Sequence, residues 1–286
     1  MLIRIITGII LIAAVLAWLF VADYPIFALG ALFMYSVGAW EMGPLLGFKK
    51  RITFLCISVV ASTIVFMTAE PGHFIDQPVP SAIKWLISSG MVVWIFSMPL
   101  LVRYPKCDCW KNNRILTTVY GLFLLLPFLE GLLVLRATDY LQDPKSGAFL
   151  VLAVMALVWC ADSGAYFTGR AIGKTKLIPR VSPKKTVEGL CGGILLALIA
   201  MLIFVRMGWF ASYGENLTNI IIASFFTILF SVEGDLVESM LKRMVGVKDS
   251  GRIFPGHGGM LDRIDSQLAA IPVFLFFSFL LNGELF

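Results

Sequence analysis

Residues 115–135 read ILTTVYGLFLLLPFLEGLLVL, a run whose single charged side chain is Glu130. A helix needs about 20 mainly apolar residues to cross the roughly 30 Å hydrocarbon core of a bilayer. The run has that length and that composition. It therefore predicts a membrane-spanning helix.

The composition of the whole chain agrees with this interpretation. Apolar residues make up 59% of the 286 residues, charged residues only 14%, and the mean hydropathy is +0.88. Soluble domains contain about 45–50% apolar and about 25% charged residues. These values exclude an ordinary soluble domain, and no hydrophilic stretch is long enough to form a separate one.

Similar apolar runs recur from one end of the chain to the other. They predict an all-α fold, a polytopic integral membrane bundle of about nine transmembrane helices. The first run is longer than the apolar part of a signal peptide, so we interpret it as the first span. The nine predicted spans are Ile3–Phe20, Ile26–Leu46, Thr53–Thr68, Trp85–Leu101, Ile115–Leu135, Phe149–Thr168, Leu190–Phe210, Leu217–Leu236 and Leu268–Leu281.

Basic residues alternate between the two ends of these spans. Nineteen of the 23 lysines and arginines lie at the N-terminus or in the loops after spans two, four, six and eight. The other ends carry only Lys84, Arg136, Lys145 and Arg206. By the positive-inside rule, the N-terminus is cytoplasmic and the C-terminus lies outside.

The residues that could carry chemistry lie late in the chain. We therefore divide it into residues 1–147, a scaffold of spans one to five, and residues 148–286, a catalytic region of spans six to nine. The catalytic region contains two cytoplasmic motif loops, residues 170–189 and 237–265. Function often concentrates in loops that a rigid scaffold holds.

Asp235 lies at the cytoplasmic end of span eight. If the helix continues past the membrane interface, Asp235, Ser239 and Lys242 fall on one stripe. A carboxylate, a hydroxyl and an ammonium on one stripe form a polar face rather than a lipid-facing one. The alternative is a solvated helix end with a local ion pair. Glu233 points away from this stripe.

The next loop contains three glycines around His257, and its backbone N–H groups could converge on an anion. Asp262 and Asp265 follow at helical spacing. Together with Asp235, they could hold a hard cation such as Mg²⁺ beside substrate phosphates. We favour a structural role for His257 over an acid–base role, because a phosphate nucleophile arrives ionised. Basic side chains that suit phosphate oxygens are Lys242, Arg243, Lys248 and Arg263, and Asp249 lies among them.

The earlier motif loop offers a second set of candidates. Asp162 is a charge within an apolar run, and such charges mark functional sites. After Pro183, two adjacent lysines either bind phosphates or anchor at anionic headgroups. The candidates for substrate binding are Asp162, Ser182, Lys184, Lys185 and Thr186. Glu41 and Glu130 either line the cavity or pair with Arg or Trp partners, and the local sequence does not decide.

The pattern from Ser239 to Asp265 resembles the signature of the phosphatidate cytidylyltransferases, also called CDP-diacylglycerol synthases. The resemblance runs through Ser239, Lys242-Arg243, Lys248-Asp249, His257-Gly-Gly and Asp262-Arg263-Ile-Asp265, about 27 contiguous residues. The Asp162 and Ser182–Thr186 segments also resemble the family. The compact length is similar to that of the bacterial members.

The resemblance implies transfer of a cytidylyl group from CTP to phosphatidate, forming CDP-diacylglycerol and pyrophosphate in phospholipid biosynthesis. It implies dependence on Mg²⁺, leaves room for K⁺ as a second cation, and places Asp235 and Asp262 as the metal ligands. The remaining expectations are a multi-pass protein of the bacterial inner (cytoplasmic) membrane, an active site facing the cytoplasm, and no nucleic acid partner. Oligomeric state stays open, with a homodimer as one alternative.

Two other functions remain as alternatives. An ion-coupled transporter would use Asp162, Asp235 and Glu130 as coupling residues, but such folds tend to show broken helices in two related halves. A CDP-alcohol phosphotransferase also binds CDP-lipids through aspartates. That family begins its motif with Asp-Gly-x2-Ala-Arg, which this sequence lacks.

Overall fold

The computed structural model describes residues 2–68, 75, 78–106, 110, 112–213 and 216–284, and for residues 2–5 it describes the backbone alone. These ranges form nine long helices and one short β-hairpin. The elements are α1 (Leu2–Phe20), α2 (Tyr24–Leu45), α3 (Arg51–Thr68), α4 (Ser81–Arg103), α5 (Arg114–Ala137), α6 (Ser146–Ile172), β1 (Lys176–Ile178), β2 (Ser182–Thr186), α7 (Val187–Arg206), α8 (Leu217–Met244) and α9 (Leu261–Leu281).

The prediction of a polytopic helical membrane protein is confirmed. Eight helices, α2 to α9, are long and apolar enough to cross a bilayer. The ninth, α1, has 19 residues and exposes a series of isoleucines on its described part. Apolar side chains such as Val102, which is 74% exposed, also cover the outside of α4. In water this surface would be unfavourable, whereas lipid solvates it.

The loops fall at two ends of the bundle, as the charge alternation predicted. At one end, Arg114 Nη1 donates to the Leu46 carbonyl oxygen over 3.1 Å, joining two basic loops. At the other end, Lys84 Nζ donates to the Glu284 carbonyl oxygen. Lys111, counted among the basic residues, lies outside the described residues. Which end faces the cytoplasm stays a prediction, drawn from the charge count.

The centre of the bundle is built from the later helices. Helix α5 runs through it, with Leu125 and Leu129 among its many buried side chains. Helices α8 and α9 pack tightly side by side, because Gly234 has no side chain at their contact. A Cβ at Gly234 would lie 2.5 Å from the Asp265 carbonyl oxygen. This close approach places the start of α9 directly beside the polar stripe of α8.

Two motif segments are more ordered than the sequence indicated. Helix α8 continues to Met244 and α9 already begins at Leu261, so the irregular part of the predicted 237–265 loop is only residues 245–260. In the last two turns of α8, Lys242 pairs with Asp262 of α9 instead of facing lipid, which allows the helix to extend. In the predicted 170–189 loop, β1 and β2 pair antiparallel, with Ile178 opposite Ser182.

Candidate active site

The polar stripe predicted on α8 is present. Asp235, Ser239 and Lys242 follow each other along one face, and Ser239 Oγ donates to Asp235 Oδ1 over 3.2 Å. Lys242 Nζ reaches across to α9 and donates to Asp262 Oδ1 over 2.7 Å. It also forms an ion pair with Glu238, one turn earlier on α8. The Lys242 end of the stripe therefore faces α9. The charges of Lys242 and Glu238 lie towards the interior of the bundle.

Asp262 is held by the glycine loop that precedes it. Asp262 Oδ2 accepts from the backbone N–H of Ser250 (2.9 Å), from Ser250 Oγ (3.0 Å) and from the backbone N–H of Gly259 (2.8 Å). Gly258 allows this wrap, because its φ is +81° and a Cβ there would lie 2.5 Å from Asp262 Oδ2. The loop amides do converge on an anion, and that anion is the carboxylate of Asp262.

The hairpin brings a second lysine to α8. Lys185 Nζ lies 2.8 Å from Asp235 Oδ2 and donates to the Val232 carbonyl oxygen over 3.3 Å. The hairpin is fixed where β2 meets α7, because Thr186 Oγ1 accepts from the backbone N–H of Gly189 over 3.1 Å and caps that helix. Buried Val181 anchors its turn.

Two further carboxylates face the same region. Asp162 on α6 lies within electrostatic range of Lys185 and Asp235. Asp265, one turn after Asp262 on α9, lies within range of Asp235 and Lys242. The described part of the cluster therefore contains Asp162, Asp235, Asp262 and Asp265 from three different helices, with Lys185 and Lys242 as the paired cations.

Two carboxylates at the site were not among the predicted site residues. Glu238 lies between Asp235 and Lys242 in sequence, and its i, i+4 spacing to Lys242 was the signal for this ion pair. Glu41 on α2 reaches the glycine loop, where Glu41 Oε2 accepts from the backbone N–H of Leu261 over 2.8 Å. The sequence marked Glu41 as an intramembrane charge but contained no signal for its partner, which is 220 residues away.

Several predicted site residues lie around the cluster rather than inside it. Arg243 is exposed and donates to the Val247 carbonyl oxygen over 3.5 Å. His257 donates its backbone N–H to the Phe254 carbonyl oxygen, and its ring lies beside Gly8 of α1. Ser182 lies within the hairpin pairing. The side chains exposed to solvent are those of Lys184, Lys248, Asp249 and Arg263.

This arrangement can bind and align phosphates. Asp235 is the most accessible charge of the α8 stripe, with its side chain 31% exposed, whereas that of Asp262 is 7% exposed. Lys184, Arg243 and Arg263, the sequence neighbours of Lys185, Lys242 and Asp262, are exposed. An oxygen-rich centre with cations beside it is suited to a hard cation bound together with phosphate oxygens.

The chain is similar over nearly its whole length to proteins of one family. Residues 2–281 match the family model described as "Cytidylyltransferase family". A phosphatidate cytidylyltransferase of Haemophilus influenzae is 40% identical over 281 residues, covering 96% of this chain and 98% of the relative. Proteins of the same name from Pseudomonas aeruginosa (39% identical, covering 95% and 94%) and Bacillus subtilis (32% identical, covering 96% and 96%) also match.

Proposed function

We infer that this chain, which belongs to the cytidylyltransferase family, transfers a cytidylyl group from CTP to phosphatidate and so forms CDP-diacylglycerol and pyrophosphate. The observation that carries this conclusion is the match of 95–96% of the chain with relatives named phosphatidate cytidylyltransferase. Neither the transporter nor the CDP-alcohol phosphotransferase alternative has comparable support.

We place the reaction at the polar cluster between α8, α9 and the hairpin. The support is chemical. Both substrates are phosphate anions, and the cluster combines half-buried lysines with carboxylates at one end of a membrane bundle. At that end a headgroup embedded in the membrane and a water-soluble nucleotide can meet.

The reaction forms a bond between a phosphatidate oxygen and the α-phosphorus of CTP. The bond from that phosphorus to the β-phosphate oxygen breaks, and pyrophosphate leaves with the electron pair. Because the attacking phosphate is already ionised, the step needs no general base. The protein has to align the two anions and stabilise the charge that builds up on the phosphate oxygens.

Lys185 and Lys242 are the side chains we assign to this electrostatic role. Each lies against a carboxylate, so each ammonium is held in a fixed position rather than swinging freely. Arg243, Lys248 and Arg263 are exposed nearby and supply further cations for phosphate oxygens. Ser239, fixed by its bond to Asp235, can donate to a substrate oxygen when that bond is exchanged.

The side chains fit Mg²⁺, the cofactor that the family resemblance implies. Asp235 Oδ1 and Oδ2 each receive one donor, and Asp262 Oδ1 receives only Lys242, so each oxygen keeps a lone pair for a cation. Among the described residues, no three carboxylates, imidazoles or thiols group around one point. Asp235 and Asp262 are the residues that would hold Mg²⁺, with substrate phosphates and water as its other ligands. When bound, Mg²⁺ offsets negative charge on the α-phosphate and on the leaving pyrophosphate. K⁺ as a second cation stays a prediction.

We further propose that the site faces the cytoplasm from the inner membrane. The support is the concentration of lysines and arginines in the loops at that end of the bundle. Substrate supply agrees, since CTP is a cytoplasmic nucleotide. A homodimer stays a prediction.

The test uses the purified full chain in detergent with labelled CTP, phosphatidate and Mg²⁺. The expected result is a labelled lipid product and an equal amount of pyrophosphate. CTP with diacylglycerol in place of phosphatidate is the control, because this lipid lacks the attacking phosphate. Folded protein that forms no cytidylyl-lipid under these conditions would contradict the proposed function.

A further inference from the structure

Glu41 is a buried carboxylate in the N-terminal half that contacts the glycine loop of the C-terminal half. It lies near the end of α2 and is 1% exposed. Glu41 Oε2 accepts from the backbone N–H of Leu261 over 2.8 Å and lies 3.2 Å from Ser250 Oγ, whose single hydroxyl hydrogen is shared between Glu41 and Asp262 Oδ2. Ser250 lies inside the irregular segment 245–260 and Leu261 directly follows it, so one oxygen joins the start of the glycine loop to the first residue of α9.

The loop is shaped around this carboxylate. A Cβ at Gly251 or at Gly259 would collide with the carboxylate oxygens of Glu41. Glycines, which have no side chain, therefore occupy the two positions where the loop passes closest to Glu41. Such a fit means that a shift of the carboxylate would be transmitted to the loop backbone on both sides.

Burying the carboxylate of Glu41 has a free-energy cost. A buried carboxylate loses its hydration, and an apolar side chain of similar size would often stabilise a fold better. Here the Oε1 oxygen of Glu41 has no hydrogen-bond partner among the described residues. What distinguishes Glu41 from an ordinary buried carboxylate is its pair of contacts to the loop, at Leu261 and Ser250.

Ser250 links Glu41 to the active site. Its hydroxyl lies within hydrogen-bonding distance of Glu41 Oε2 and of Asp262 Oδ2, at 3.2 Å and 3.0 Å. Asp262 in turn accepts from Lys242 on α8. A continuous chain of contacts therefore runs from α2 through the glycine loop to the α8 stripe.

We propose that Glu41 is a positioning residue for cytidylyl transfer. It holds residues 250–261 so that the Asp262 carboxylate and its partner Lys242 are correctly placed for the substrate phosphates. Glu41 acts through Ser250 and Leu261 and does not itself touch the substrates. The expected effect on kcat rests on the proposed function. The placement of the loop does not, because it can be measured without any reaction.

The experiment compares Glu41→Ala and Glu41→Gln with the same changes at Glu130. Glu130 on α5 is also buried, at 3% exposed, and it also has one oxygen without a partner among the described residues. Its electrostatic neighbours are Tyr24 and Tyr35, not the glycine loop. The two positions therefore lose the same carboxylate, but only one of the changes removes contacts to the loop.

Three measurements are made on the full chain in detergent. Hydrogen exchange of the amides of residues 250–261 reports the order of the loop without substrate. Initial rates with CTP and phosphatidate separate kcat from KM. Thermal unfolding identifies any variant that is destabilised as a whole.

Glu41→Ala should speed exchange at Leu261 and at Gly259 and lower kcat by about 10- to 100-fold, the size expected for lost charge-assisted hydrogen bonds. The KM for CTP should change less than kcat. Glu41→Gln should retain most of the loop protection and part of kcat, because a single amide oxygen can replace Glu41 Oε2 for both donors. Both Glu130 variants should behave like the unmodified chain.

The proposal is overturned if Glu41→Ala leaves exchange and kcat equal to those of Glu130→Ala. It is equally overturned if both alanine variants lose activity in step with thermal stability. If Glu41→Ala does not fold, the Glu41→Gln and Glu130→Gln pair decides by the same criteria. An inactive unmodified chain with a protected loop would count against the proposed function and leave the placement of the loop established.

Discussion

Asp235 and Asp262 are both aspartates of one cluster, yet their surroundings differ sharply. Asp262 accepts from Lys242, from the Ser250 hydroxyl and from two backbone amides, and its side chain is almost buried. Asp235 pairs with Lys185 and accepts from Ser239, and nearly a third of its side chain is exposed. Asp262 organises the protein around it, whereas Asp235 is open to ligands. The same residue type thus has two roles. The aspartate that accepts more hydrogen bonds from the protein organises the loop, and the aspartate that accepts fewer can bind a ligand.

Asp262→Asn tests the organising side of this comparison and should have the largest effect. The amide loses the charge that Lys242 and the loop amides neutralise. We expect kcat to fall by at least about 100-fold, the cost typical of losing one preorganised electrostatic contact. Initial-rate assays on purified protein check this, with expression and membrane insertion unchanged. Asp23→Asn, at the other end of the bundle, is the control. Near-normal turnover of Asp262→Asn would be incompatible with both the loop and the metal assignment.

Asp235→Asn tests the ligand-binding side and should be partly reversible. If Asp235 holds Mg²⁺, its loss should raise the Mg²⁺ concentration for half-maximal rate by about tenfold or more. Excess Mg²⁺ should restore more activity to Asp235→Asn than to Asp262→Asn, because the loop stays intact in the first variant. The measurement is a Mg²⁺ titration of rate for both variants. Equal rescue of the two variants would contradict a ligand-binding role for Asp235 that differs from the organising role of Asp262.

Lys185→Gln should have the smallest effect of the three. The change removes the ion pair with Asp235 but leaves the hairpin capped by Thr186. We expect a three- to tenfold loss in kcat/KM, about the effect of one partly exposed charge, and a weaker dependence on salt. Lys184→Gln is the matched control, because Lys184 is its exposed neighbour. If both variants lose activity equally, the hairpin would act through general charge rather than through the Asp235 contact.

The sequence predicted the α8 stripe well because its members lie on one helix. Asp235, Ser239 and Lys242 are neighbours by helical geometry alone, so their spacing was enough. The grouping of Asp262 with Asp265 followed from the same rule. Helical spacing could not reveal the role of Thr186. It was expected to bind substrate, and the structure shows it capping α7, a bond that depends on where the helix begins.

Glu41 shows why the remaining contacts of the site could not be predicted from the sequence. Its partners lie more than 200 residues away, and nothing in the local sequence records a contact between distant helices. The same holds for Lys185, whose partner was decided by the docking of the hairpin onto α8.

The sequence by itself determined that this is a helical membrane protein and how its basic loops alternate, and it predicted a set of candidate site residues. It could do so because hydrophobic length, loop charge and helical periodicity are local properties. Tertiary structure alone decided which carboxylate organises the glycine loop, which one stays open, and that α2 reaches into the site. Those outcomes depend on close helix contacts, such as the one at Gly234, and on which donors each buried oxygen meets after packing.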